Sequence, residues 1–173
     1  MLVDDHAFVR RSIRRLLETE PGLSVCAEAS SRNETLHALR LHRPDLLILD
    51  LVLPGEDGLI FTSEIRRQFP DMPILILSLH KESLFAEPAL RAGADGYLMK
   101  NDAPEHLVEA VYTVMERRLY LSPQVQQVIF SRMRGMDRAI PPARPAAPVV
   151  ARHVRRPLFS RPARRKSAHR STR

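Results

Sequence analysis

One cysteine, no long apolar run and a start unlike the pattern of a secretory leader set the first expectations for this chain. A lone thiol, Cys26, excludes an internal disulfide and suits a reducing compartment. Its apolar neighbours suggest a small core residue on a strand. No apolar stretch approaches the roughly eighteen residues of a helical membrane span, so a soluble protein with no membrane partner is expected. The start is apolar only as far as Val3, because Asp4 and Asp5 follow at once, which is not the pattern of a signal peptide. A cytoplasmic location is therefore expected. There is no internal repeat, and 173 residues suffice for one domain of ordinary size plus an appendage.

The net charge of +7 is unevenly spread. Residues 136–173 hold eleven Lys and Arg, six prolines and a single acid, Asp137, and carry +10. The remaining 135 residues have sixteen basic and nineteen acidic side chains and carry −3. The pattern is a mildly acidic body joined to a basic tail, so charge argues for nucleic-acid contact in the tail alone. With no apolar periodicity, that tail cannot bury enough surface to offset its ordering entropy, and disorder is expected there.

Within the body, short runs rich in Leu, Ile and Val occupy residues 2–3, 23–27, 46–49 and 74–77, with a weaker fifth at 97–99. Helical spacing fills the gaps. A first helix is expected over about 7–18, with Phe8, Ile13, Leu16 and Leu17 inward and Arg10, Arg11, Arg14 and Arg15 on a solvated face. Others follow over about 33–42 (Leu36 and Leu39 inward, Leu41 a further candidate), 59–69 (Ile60, Phe61, Ile65, Phe69), 82–92 and 104–116 (Leu107, Val108, Val111, Val114). Strands alternating with helices of this length read as a doubly wound α/β fold with a five-stranded parallel sheet. Runs apolar throughout imply strands covered on both faces. Pro21-Gly22, Pro70 and Pro73 mark boundaries, Gly93 and Gly96 flank a turn where positive φ is expected, and Pro104 suits a first helical turn.

In such sheets ligands bind outside the carboxyl ends of the strands. Asp4 and Asp5 follow the first run, Asp50 the third, Ser78 the fourth and Lys100 the fifth. Three carboxylates repel one another unless a cation neutralises them, and an all-oxygen set suits a hard divalent ion, Mg²⁺. A metal so held can stabilise charge in phosphoryl transfer, and one of the carboxylates can be the nucleophile. Lys100 would pair with the phosphate as a point charge, and Ser78 would donate a hydrogen bond to it. A lone aspartate after a strand is usually a turn or cap residue; the joint placement is what favours chemistry here. His6 and His80 read as solvated loop residues, and His37, His42 and His106 as helix positions without a catalytic part.

The strings LVDDH, DLVLPGEDG, LSLH and ALRAGADGYLMK resemble the receiver domains of two-component response regulators, of the NarL/LuxR type, over about residues 1–135. The resemblance implies a flavodoxin-like fold with strand order 2-1-3-4-5. It implies Asp50 as phosphoacceptor and Mg²⁺ held by Asp4, Asp5, Asp50 and the backbone carbonyl of Val52. Ser78 would be the switch hydroxyl, Tyr97 the switch aromatic and Lys100 the phosphate-pairing lysine. A histidine kinase or small phosphodonor is the implied partner, with a homodimer as a further one. The protein would be a phosphorelay component in transcription regulation and not an enzyme with an external substrate.

Three departures from the family pattern stand out. Only Met1, Leu2 and Val3 precede the acidic pair, which suggests a start assigned too late or a less stable domain. Pro88 falls inside the fourth helix, which is expected to kink or begin late. The usual C-terminal helix-turn-helix domain is not recognisable, so DNA binding is doubtful. The expected organisation is a receiver domain at 1–117, a linker helix at 118–135 and the basic tail at 136–173. The abrupt change into Arg, Pro and Ala reads as a frameshift or truncation ahead of an evolved DNA-binding arm. A flavin-binding protein is disfavoured, because carboxylates at the strand ends repel a flavin phosphate.

Overall fold

The computed structural model describes residues 1–123, 125–127 and 129. Of the two units into which the chain divides, Met1–Ile140 and Pro141–Arg173, only the first contains described residues. The expected basic tail at 136–173, and the expected linker helix beyond residue 129, lie outside them. Among the described residues no helix is long and apolar enough to cross a membrane.

The elements run β1 (Leu2–Val3), α1 (Ala7–Glu18), β2 (Glu28–Ala29), α2 (Arg32–His42), β3 (Leu47–Leu49), β4 (Val52–Leu53), β5 (Glu56–Asp57), α3 (Gly58–Gln68), β6 (Ile74–Ser78), α4 (Glu82–Arg91), β7 (Gly96–Met99), a 3₁₀ turn (Lys100–Asp102) and α5 (Ala103–Met115). Five strands form one sheet in the order β2-β1-β3-β6-β7, every pair parallel. In chain order of the sheet strands this is 2-1-3-4-5, as the resemblance implies.

Pleating sends alternate residues to opposite faces, and each face has its own core. Val3, Leu47, Leu49, Ile74, Ile76 and Tyr97 pack with Leu36 and Leu39 of α2, Phe61 and Ile65 of α3 and Ala86 and Ala89 of α4. Leu2, Ile48, Leu75, Leu77 and Leu98 pack on the other face with Ile13 and Leu17 of α1 and Leu107, Val111 and Val114 of α5. The runs lack alternation because both faces are covered, and each fully buried Leu or Ile contributes about 1.5–3 kcal/mol.

Several expectations are corrected. Phe8, Leu41 and Ile60 are exposed, Phe8 at 79%. They share one cause: each lies five residues before or after a residue facing the core (Ile13, Leu36, Ile65), and five residues turn about 140° at 3.6 per turn. Leu59, partly buried against the core, takes the place given to Ile60. Cys26 is exposed and lies outside any strand. The ladder between β1 and β2 pairs only Leu2 with Glu28 and Val3 with Ala29, so residues 23–27 have no partner strand beside them. Leu2 N–H donates to the Ala27 carbonyl, the last bond before pairing ends.

Gly22 and Gly93 have positive φ, but Gly96 does not. It is glycine for space: a Cβ there would lie 2.8 Å from Val114 Cγ2 and 3.1 Å from Tyr120 Cβ. The hairpin β4–β5 was not anticipated; it joins Val52 to Asp57 and Leu53 to Glu56 just after Asp50.

The fourth helix begins at Glu82, not late, and Pro88 sits within it. That proline cannot donate to the Leu84 carbonyl one turn back. Pro88→Ala is expected to raise unfolding stability by about 1–3 kcal/mol in urea titrations, short of the full interior cost because Leu84 faces water.

Candidate functional site

The parallel register sets the site. Val3 lies beside Leu49, and Asp50 N–H donates to the Val3 carbonyl, so Asp4 and Asp50 leave adjacent strands side by side. Both are buried, at 1% and 3% exposure. Ser78 ends β6 and Lys100 follows β7, at the same edge. The Lys100 ammonium spans the pair, its Nζ 2.6 Å from Asp4 Oδ2 and 2.6 Å from Asp50 Oδ2. The other carboxylate oxygens accept backbone N–H bonds. Asp4 Oδ1 takes His6 N–H at 2.8 Å, and Asp50 Oδ1 takes Val52 N–H at 3.2 Å.

Asp5 is placed differently. Its Oδ1 is buried, 2.6 Å from His6 Nδ1, and has no hydrogen-bond partner besides that ring among the described residues. The structure thus gathers Asp4 and Asp50 on Lys100 and leaves Asp5 turned towards His6. Ligand atoms of Asp4, Asp5 and His6 lie within 4.8 Å of one another. A buried Asp5 oxygen with only the His6 ring beside it, next to Asp4, which Lys100 joins to Asp50, is a carboxylate set that fits a hard divalent cation.

Burial raises the Asp50 pKa, more than the hydrogen bond and charge of Lys100 lower it; the Val52 N–H also lowers it and the nearby Asp4 adds to the rise. For Lys100 the balance is reversed. Burial alone would lower its pKa, but hydrogen bonds and attraction from Asp4 and Asp50 outweigh that and raise it. The amine therefore stays charged, and Asp50 binds a proton more tightly than a carboxylate in water.

Ser78 and Tyr97 meet on one backbone segment. Tyr97 is fully buried, and its hydroxyl donates to the His80 carbonyl at 2.9 Å. His80 N–H donates to Ser78 Oγ at 3.2 Å. Burial pushes the Tyr97 pKa up to about 12, against a hydrogen bond with Ser78 that lowers it, so the phenol remains a donor. The exposed His80 ring stacks on Phe85 at 4.5 Å.

Sequence reasoning missed two supports. Arg10, assigned to a solvated face, donates to the Asp4 carbonyl at 2.7 Å and to Glu28 Oε2 at 3.0 Å. Arg14 joins it on Glu28 at 2.6 Å. The signal was available: helical side chains lean towards the N-terminus, which carries an arginine in the first turn of α1 back over Asp4. Glu82 left no such signal. It is buried at 7% and accepts a backbone N–H from Ser122, forty residues away in sequence.

A family model described as the response regulator receiver domain matches residues 1–112. The oxygen regulatory protein NreC of Staphylococcus epidermidis is 41% identical over 122 residues, covering 70% of this chain and 56% of that protein. The response regulator UvrY of Escherichia coli is 36% identical over 127 residues, covering 73% and 58%. The chain thus spans less than three-fifths of the length of both curated relatives. The crystal structure of a LuxR-family two-component response regulator from Aurantimonas superposes with a TM-score of 0.71 at 41% identity, covering 77% of this chain and 95% of that one.

Two outcomes follow from this geometry. Lys100→Met strands two buried carboxylates against each other, and in metal-free buffer at neutral pH it is expected to cost about 3–5 kcal/mol in urea unfolding. Glu28 carries a lowered pKa: burial raises it, but hydrogen bonds from Arg14 and Arg10 more than compensate. Its contribution is present above the ordinary value of 4.5 and is lost as pH falls through the lower folded value. Glu28→Gln should therefore be less stable than the parent at pH 7, with the difference closing as acid unfolding is followed downward from that value.

Proposed function

Because the chain belongs to the response-regulator receiver family, of the NarL/LuxR type, we propose that it accepts a phosphoryl group on Asp50 in two-component signalling. The observation that carries this reading is the buried Asp50 at the end of β3, held by Val52 N–H on one oxygen and by Lys100 on the other. A nucleophile needs a fixed direction of approach and a basic lone pair, and Asp50 has both.

In the proposed step, a carboxylate oxygen of Asp50 forms a bond to phosphorus while the bond to the donor breaks in line, leaving an acyl phosphate. The donor is a histidine kinase or a small phosphodonor such as acetyl phosphate. A Mg²⁺ ion held by Asp4, Asp5, Asp50 and the Val52 carbonyl would supply charge neutralisation for the transferring oxygens. Lys100 then gives up part of its pairing with Asp50 to contact the new phosphate, keeping a positive charge where negative charge grows. Ser78 donates its hydroxyl to the phosphate, and Tyr97 follows the shift of the segment at 79–81. The receiver work is assigned to residues 1–117, and the domain modifies itself rather than turning over an external substrate.

Incubation with acetyl phosphate and Mg²⁺, followed by intact mass measurement, tests this directly. One added phosphoryl mass is expected in the parent, none in Asp50→Asn, and none when EDTA removes the metal. An unmodified parent that is folded by circular dichroism, or equal modification of Asp50→Asn, would sink the assignment.

A further inference from the structure

Beyond α5 the chain turns back at Arg117, which has positive φ, and runs along the open edge of the sheet. Tyr120 pairs with β7 on both sides of Gly96: its N–H donates to the Asp95 carbonyl at 3.2 Å, and its carbonyl accepts Tyr97 N–H at 2.9 Å. Leu121 and Val125 then enter the same buried cluster as Tyr97, Ala86 and Ala89, with Ile129 packed against it. Glu82, the first residue of α4, accepts Ser122 N–H at 2.7 Å, and Ser122 Oγ in turn accepts Val125 N–H at 3.4 Å. A buried carboxylate on a backbone donor is a strong contact, and this one ties the start of α4 to the returning chain.

β7 is an edge strand, yet Tyr97 on it is fully buried. An aromatic ring on an edge strand needs a cover, and the returning segment supplies it. We propose that the described residues between 119 and 129 (119–123, 125–127 and 129) form a strap that closes behind Tyr97 and holds its ring inward, with Glu82 as the latch. The strap and the Tyr97 hydroxyl converge on one short segment: Tyr97 bonds the His80 carbonyl, and Glu82 lies two residues further on. The link to signalling rests on the reading of Asp50 as phosphoacceptor and Tyr97 as switch. If phosphorylation favours the inward ring, and the docked strap favours it too, each stabilises the other, because coupling between two sites is reciprocal. Phosphorylation then tightens the strap, and an open strap weakens binding at Asp50.

The test uses the full chain and compares the parent with Glu82→Ala, Glu82→Gln and Leu121→Ser. Peptide-resolved amide exchange reads the strap, and nitration of Tyr97 by tetranitromethane, mapped by mass, reads the ring. Both are measured without any phosphoryl analogue. Glu82→Ala and Leu121→Ser are expected to speed exchange at 119–127 roughly ten- to a hundredfold and to make Tyr97 reactive. Glu82→Gln keeps an acceptor oxygen and stays near the parent, and peptides of α1 to α3 are unchanged. Unchanged strap exchange in Glu82→Ala overturns the latch. A strap that opens while Tyr97 stays protected overturns the cover, and faster exchange spread over α1 to α3 overturns a local device. Beryllofluoride with Mg²⁺ should then slow strap exchange in the parent and bind Glu82→Ala at least about fivefold more weakly. A parent that fails to bind it counts against Asp50, while the exchange and nitration results decide the strap on their own.

Discussion

Two carboxylates at 1% and 3% exposure cannot share a low-dielectric edge unless a positive charge stands between them, and Lys100 is that charge. Much of the architecture is what this requires. Asp4 and Asp50 are adjacent because β1 and β3 are neighbours in parallel register. The lysine comes from β7, two strands from β3, so its stem must cross the end of β6. The residue at that crossing is Ser78, small and fully buried. The long, flexible stem of lysine suits the span, and its compact ammonium can serve two carboxylates at once.

The loops around this pair are fixed by contacts that touch neither carboxylate's side-chain oxygens. Arg10 holds the Asp4 carbonyl, and Glu28 holds Arg10, so α1 and the end of β2 are tied to the acidic turn. After Asp50, a Cβ on Gly58 would come within 2.2 Å of the Leu51 carbonyl oxygen, so α3 starts against the backbone of that loop at a distance only glycine permits. The hairpin β4–β5 closes the same loop from the other side. Positions that look like turn filler in the sequence are thus what aim Asp50 and Val52.

The order of strands and helices was legible because both periodicities are strong and both faces of the sheet are buried. The strand-end residues Asp4, Asp50, Ser78 and Lys100 were legible for a related reason: a polar residue ending an unbroken apolar run is placed by the run itself. Helix faces were read less well. Phe8, Leu41 and Ile60 were inward candidates by hydrophobicity, although a five-residue step from Ile13, Leu36 and Ile65 carries each away from the core. Cys26 failed through pairing, since a run becomes a strand only where a neighbour offers a ladder, and β1 offers two residues. The contact of Arg10 with Asp4 follows from the lean of a first-turn helical side chain, but its Glu28 partner and the Ser122 partner of Glu82 lie 18 and 40 residues away in sequence, and no local pattern encodes such a distance.

The segment 79–81 is where the acidic edge and the open sheet edge meet. Its His80 N–H is bonded to Ser78 at the site, its His80 carbonyl to Tyr97, and Glu82 immediately after it is bonded to the returning chain. Three anchors on so short a stretch leave it few intermediate positions. A displacement towards Asp50 must carry the Tyr97 hydroxyl with it or break that bond, and it must move the start of α4 relative to Ser122. Close packing in the cluster of Tyr97, Ala86, Ala89, Leu121 and Val125 discourages partial adjustment, because interiors repack between discrete arrangements rather than deform smoothly. A change of charge at one buried carboxylate is small in itself. Under the proposed phosphorylation of Asp50, a segment held in this way would carry the change to Glu82 and its bond with Ser122.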